Sequence, residues 1–107
     1  MLIFHLKKEW YEKIRSGEKT VEYREVKPYW TKRIFKEFDI DSSYLSEIGD
    51  NLTPLRCFEN PIKLRLGYTK RYLLAFVNKL EIVDGKDTDL HIDKPVYAIH
   101  LEDVKGD

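Results

Sequence analysis

The chain has 107 residues, 19 basic and 19 acidic, and so no formal net charge. That length suits one domain with one core, and a hydrophobic share of 42% with 13% aromatics argues against a disordered chain. The absence of any apolar run near 20 residues, or of a secretory leader pattern, predicts a cytoplasmic protein.

Residues 2–6 form a short apolar run that reads as a first strand, buried on at least one face. Residues 8–16 read as a helix. Trp10 and Ile14 stand one turn apart with Tyr11 beside them, and Gly17 is placed to end it. Residues 20–26, rich in β-branched and aromatic side chains, read as a second strand. Alternation puts Val21 and Tyr23 on one face, assigned to the core, and Thr20, Glu22 and Arg24 on the other, assigned to a polar surface. Lys19 has the wrong parity for that surface and joins it only if it belongs to the preceding turn. Pro28 can open a second short helix with Trp30 and Ile34 inward. Residues 39–54 carry serines, Gly49, Asn51 and Pro54, which predicts a loop or lid with at most a helical turn over 44–48.

Residues 62–66 alternate Ile62, Leu64 and Leu66 inward with Lys63 and Arg65 outward, and Gly67 ends the strand. The longest strand is predicted over 72–83, with Leu74, Phe76, Leu80 and Ile82 on one face and Asn78 as an exception. Asp84-Gly85 signals a turn, 86–95 a polar connection, and 96–101 a last strand with Tyr97, Ile99 and Leu101 on one side. About five strands with one or two short helices, without regular βα alternation, predict an α+β fold. Its sheet is expected to be a small, mostly antiparallel β-barrel forming one domain over 1–107.

Charge is segregated along the chain. Residues 27–36 hold Lys27, Lys32, Arg33 and Lys36 with no acid, among Tyr29, Trp30 and Phe35; residues 61–72 hold Lys63, Arg65, Lys70 and Arg71, with Tyr68 and Tyr72. Residues 37–50 contain five acids and no base. Basic, aromatic-bearing stretches suit a surface that meets phosphates and stacks bases. Cys57 is the single cysteine, flanked by Arg56 and Phe58, and reads as a small buried apolar residue rather than a nucleophile. His5, His91 and His100 have no ligand spacing, so neither a metal nor a cofactor is predicted.

One segment combines these signals. Gly17-x-Lys19-x-x-Glu22-x-Arg24, preceded by the Trp10-Tyr11 helix and followed by Lys63-Leu64-Arg65-Leu66-Gly67-Tyr68, resembles the ASCH domain family, whose motif is G-x-K-x-x-E-x-R. The resemblance covers nearly the whole chain. It implies a PUA-like barrel with a helix closing one end, and an RNA- or nucleotide-binding cleft lined by the motif. Lys19 then supplies a mobile charge for phosphate, and Arg24 and Arg65 supply planar forks. Glu22 orients Arg24 or accepts from a base amino group. Tyr29 and Tyr68 stack bases, and Lys70 extends the basic surface. Single-stranded RNA or a nucleotide is the partner this implies.

A second reading is a small hydrolase of a modified nucleoside or of RNA phosphodiesters, with Lys19 as general base and Glu22 as proton shuttle. One group of ASCH proteins hydrolyses the amide of N4-acetylcytidine through a lysine and a threonine of this motif together with a downstream glutamate. Lys19 matches that lysine, but Glu22 stands at the threonine position, and a carboxylate cannot replace a hydroxyl nucleophile without changing the mechanism. A third reading is a protein-interaction module docking a basic partner on the acidic 37–50 stretch.

Overall fold

Apolar alternation organises the first strand, β1 (Ile3–Leu6), which buries Phe4 and Leu6 and leaves Ile3 and His5 exposed. The computed structural model describes residues 1–41 and 47–106 of the chain. Helix α1 (Lys8–Ser16) buries Tyr11 and Ile14, three residues apart on one stripe. It stops at Gly17, whose φ of 86° is open to glycine at little cost, with the Gly17 N–H bonded to Ile14 O. Strand β2 (Val21–Glu25) follows, and α2 (Pro28–Phe38) opens on its proline. At 11 residues α2 runs longer than the short helix anticipated: it buries Ile34, Phe35 and Phe38 and packs Trp30 only partly against the core. The helical turn expected over 44–48 lies largely outside the described residues.

A 3-10 turn over Leu55–Phe58 carries the fully buried Cys57 into the core. Strands β3 (Ile62–Leu66), β4 (Tyr72–Asp84) and β5 (Pro95–Lys105) complete one five-stranded sheet in the order β1-β3-β4-β5-β2. Only β1 and β3 run parallel. The sheet is therefore mixed, mostly antiparallel and curled into a half-barrel, which agrees with the α+β barrel expected. Its edges β1 and β2 are not paired with each other, yet Arg24 Nη2 on β2 reaches His5 O on β1 at 3.4 Å. The seam between the two edges is where the site lies.

Two face assignments are corrected. In β4 the buried side chains are Leu73, Ala75 and Val77, then Leu80 and Ile82, because register shifts at 74–76 and 77–79 change the parity midway. Leu74 and Phe76 are only half-buried. In β2, Glu22 and Arg24 pair in register with Ile99 and Tyr97, whose side chains belong to the core. Directly opposed residues of an antiparallel pair share a face, so Glu22 and Arg24 point into the half-barrel, and Val21 and Tyr23 lie outside it, half-buried. The polar face is the inner one.

The core runs from Phe4, Tyr11 and Ile14 through Ile62, Leu64 and Leu73 to Leu80, Ile82 and Ile99, all essentially inaccessible. Each such aliphatic or aromatic side chain contributes about 1.5–3 kcal/mol by leaving water. The buried Tyr97 hydroxyl is met by Thr31 Oγ1. No helix among the described residues is long and apolar enough to cross a membrane.

Candidate functional site

Lys19 is positioned by backbone on both sides. Its N–H bonds to Lys13 O at 2.9 Å, which folds the turn after Gly17 back against α1, and Thr20 O accepts Leu101 N–H at 2.8 Å, which ties the turn to β5. Lys19 therefore belongs to a turn and escapes strand parity. Its Nζ lies 5.3 Å from the centroid of the Trp10 ring and 4.9 Å from that of Tyr23. It stands 2.5 Å from Asp89 Oδ2 and 4.0 Å from Glu22 Oε1, and the side chain is only 9% exposed. The mobile phosphate-binding lysine expected from the sequence is instead a cation enclosed by two rings and two carboxylates.

Glu22 is buried, at 6% relative exposure. Oε1 accepts the N–H of Tyr23 at 2.9 Å, while Oε2 lies 3.6 Å from Arg24 Nη2 without a hydrogen bond. Burial pushes the Glu22 carboxyl above the usual carboxylate range, and Arg24 and then Lys19 pull against it. Arg24 lays its guanidinium about 5 Å from the centroids of Phe4 and Trp30, and its buried Nε also has no partner. A buried donor and a buried acceptor thus stand unpaired on neighbouring side chains, each an expense of roughly 1–3 kcal/mol in an otherwise satisfied interior.

Asp89 had no signal in the sequence beyond lying in a polar connection. The structure fixes it through Gly85 and Thr88. Thr88 Oγ1 donates to Gly85 O at 2.9 Å and accepts from Leu90 N–H at 3.2 Å, which holds the connection rigid where Asp89 projects toward Lys19. Trp10 sits half-buried at the rim.

Glu22, Arg24, Asp89, Trp10, Tyr23 and His5 line a cleft of about 240 Å³. Below the roughly 300–1,000 Å³ typical of drug-sized ligands, it suits a single ring system. Sharing Trp10, Tyr23 and Asp89 with the cleft is a second hollow of about 380 Å³, lined also by Lys19, Lys13 and Thr20. His5 also lines a groove of about 560 Å³ with Tyr29, Trp30, Arg33 and Lys36. The cleft and its wall hold three cations, Lys7, Lys19 and Arg24, against two carboxylates, so this is a polar pocket rather than a strongly basic one.

The remaining predicted residues divide. Tyr29 is 53% exposed and lines the neighbouring groove, with Arg33 stacked 3.5 Å from its ring centroid. Tyr68, 86% exposed, stacks on His5 at 4.5 Å. Arg65 turns its fork onto Thr69 O at 2.7 and 3.2 Å and does not line the cleft. Lys70 borders a separate hollow with Tyr72 and Lys105. The acidic stretch begins inside α2, where Glu37 pairs with the N-terminal amine at 3.5 Å.

No group of three or more His, Cys, Asp or Glu side chains among the described residues is arranged to hold a metal ion. The Cys57 thiol is pushed up to about 12 by burial alone, which makes it a poor nucleophile. Comparisons of the chain with family models, with curated proteins and with solved structures found no match.

Proposed function

We propose that this chain is an ASCH-like domain that binds single-stranded RNA or a nucleotide and takes the base, rather than the phosphate, into the cleft. The observation that carries the reading is the carboxyl and guanidinium that β2 turns into the cleft, those of Glu22 and Arg24, whose Oε2 and Nε have no hydrogen-bond partner among the described residues. A nucleobase edge sets a donor beside an acceptor, the complement that the Glu22 carboxyl and the Arg24 guanidinium of the cleft lining offer. Trp10 and Tyr23 at the wall supply flat apolar surface for the ring. The Gly17-Lys19-Glu22-Arg24 spacing supports the same family reading. Phosphates fall to cations at the edge of the cleft and beside it, among them the exposed Lys7 of its lining and the half-buried Lys13 of the neighbouring hollow.

The hydrolase reading draws on the proximity of Lys19 to two carboxylates in a concave site. Against it, the residues lining the cleft include no serine, threonine or cysteine, and Lys19 already donates to Asp89. Binding is the stronger reading.

The test is calorimetric or NMR titration at low salt with the four nucleosides, their 5′-monophosphates and short single-stranded RNA. At least one nucleoside should bind with little salt dependence, since no phosphate is engaged, and Arg24→Ala should weaken it roughly 10- to 100-fold, the loss of a charge-assisted hydrogen bond. Absence of binding by every one of these probes would remove the proposal.

A further inference from the structure

Tyr68 presents an unusual combination of exposure and rigidity. It is the most exposed large hydrophobic side chain among the described residues, at 86%, on the turn that joins β3 to β4. That turn is nonetheless held at several points. Gly67 N–H donates to Leu6 O at 2.8 Å, Thr69 N–H and Oγ1–H donate to Leu66 O at 3.0 and 2.7 Å, and Arg65 clasps Thr69 O. The Tyr68 ring lies over the His5 imidazole with centroids 4.5 Å apart and planes 25° from parallel. His5 is itself fixed, its Nδ1–H donating to Gly67 O at 2.8 Å. The result is a tyrosine ring with one face supported, the rest in water, and little conformational freedom left to lose on binding.

The support of this ring is also a wall of the cleft. His5 lines the cleft that holds Glu22 and Arg24 and the groove that holds Tyr29 and Arg33, so the stacked pair marks the boundary between the two. A strand of nucleic acid with one base in the cleft brings its next nucleotide to this boundary, where the offered surface is an open aromatic ring. The groove beyond carries Arg33 and Lys36, cations suited to the following phosphate.

We propose that Tyr68, propped on His5, is a stacking platform for the nucleotide adjacent to the one in the cleft, so that the ligand is a single strand of two or more nucleotides. This rests on the base-binding reading above. Tyr68 takes no part in the cleft itself, and its ring is replaceable without disturbing the core.

The experiment compares wild type, Tyr68→Ala, Tyr68→Trp and Arg24→Ala against two probes: the best-binding nucleoside monophosphate and a single-stranded hexaribonucleotide of the same base. Stacking is worth about 1–3 kcal/mol per base, so Tyr68→Ala should weaken hexamer binding about 5- to 150-fold. It should leave monophosphate affinity unchanged within twofold, and Tyr68→Trp should retain the hexamer. Arg24→Ala should weaken both probes. Hexamer binding that is indifferent to Tyr68→Ala but still lost in Arg24→Ala overturns the platform and leaves the cleft standing. Failure of wild type to bind either probe overturns both.

Discussion

The buried Glu22 carboxyl makes a prediction about stability that is independent of any ligand. At an effective permittivity of 20, Arg24 Nη2 at 3.6 Å and Lys19 Nζ at 4.0 Å each attract an ionised Glu22 by about 4–5 kcal/mol. Removing the carboxylate from water costs several kcal/mol and more, and Oε2 receives no hydrogen bond in return. Burial outweighs the two cations, since the folded carboxyl titrates above its ordinary value of 4.5. The sign follows from linkage. Above pH 4.5 the unfolded chain releases this proton before the folded one does, so the folded state binds more protons and stability falls as pH rises through that window. The slope from this group is at most about 1.4 kcal/mol per pH unit. Glu22→Gln is nearly isosteric and does not titrate. Asp89, Lys19 and Arg24, which face Glu22, are common to both chains, as is Glu81, whose carboxyl is lowered by Lys79 and so acts below pH 4.5. Urea unfolding followed by tryptophan fluorescence at pH steps from 4.5 to 8 should show the two proteins within about 1 kcal/mol at the acid end, where both carry a neutral side chain at 22. The Gln variant should then gain on wild type as pH rises, up to the point where the folded carboxyl has itself ionised. Parallel curves, or a gain by wild type, would refute the buried and raised carboxyl.

Four further outcomes follow from the local geometry. A Cβ on Gly85 would lie 2.6 Å from the carbonyl oxygens of Ile92 and Lys94, both backbone, so Gly85→Ala should cost about 1–3 kcal/mol or more and lower the thermal midpoint by several degrees in calorimetry. Gly17→Ala meets nothing within 4 Å and suffers only its φ of +86°, so its cost should be about 1–2 kcal/mol, smaller than that of Gly85→Ala. Asp89→Asn removes the charge paired with Lys19 and should destabilise the fold by about 1–2 kcal/mol, with a change in Trp10 emission as Lys19 leaves the ring, read by fluorescence in a Trp30→Phe background. Cys57, inaccessible and with its thiol at about 12, should react with an aromatic disulfide reagent only at the rate of unfolding, and prompt labelling of the folded protein would show that the 3-10 turn over Leu55–Phe58 opens.

What the sequence made legible is the part of the fold that obeys its own periodicity. The stripe of Tyr11 and Ile14 and the glycine at 17 mark α1 to the residue, and the alternation of Ile62 and Leu64 marks β3. Strand β4 departs from simple alternation because a bulge near Asn78 changes the parity, and the polar Asn78 marks the place without showing which face each half of the strand buries. Asp89 was out of reach for another reason. Its contact with Lys19 spans 70 residues, and its connection has no period from which a direction could be inferred. The inversion of β2 is the informative failure. Charged side chains alternate with Val21 and Tyr23, and ordinary patterning sends the charges outward. Only the register against Ile99 and Tyr97 turns Glu22 and Arg24 in. A chain that buries an incompletely bonded carboxyl and one guanidinium nitrogen, and leaves a valine and a tyrosine half in water, loses stability that the reverse pattern would keep. Departures of this kind concentrate where a protein meets something other than itself. The same inversion brings Glu22 and Arg24 into one cleft with Asp89 and leaves Glu22 Oε2 and Arg24 Nε without hydrogen-bond partners, so the strand that departs from ordinary patterning also supplies the candidate site.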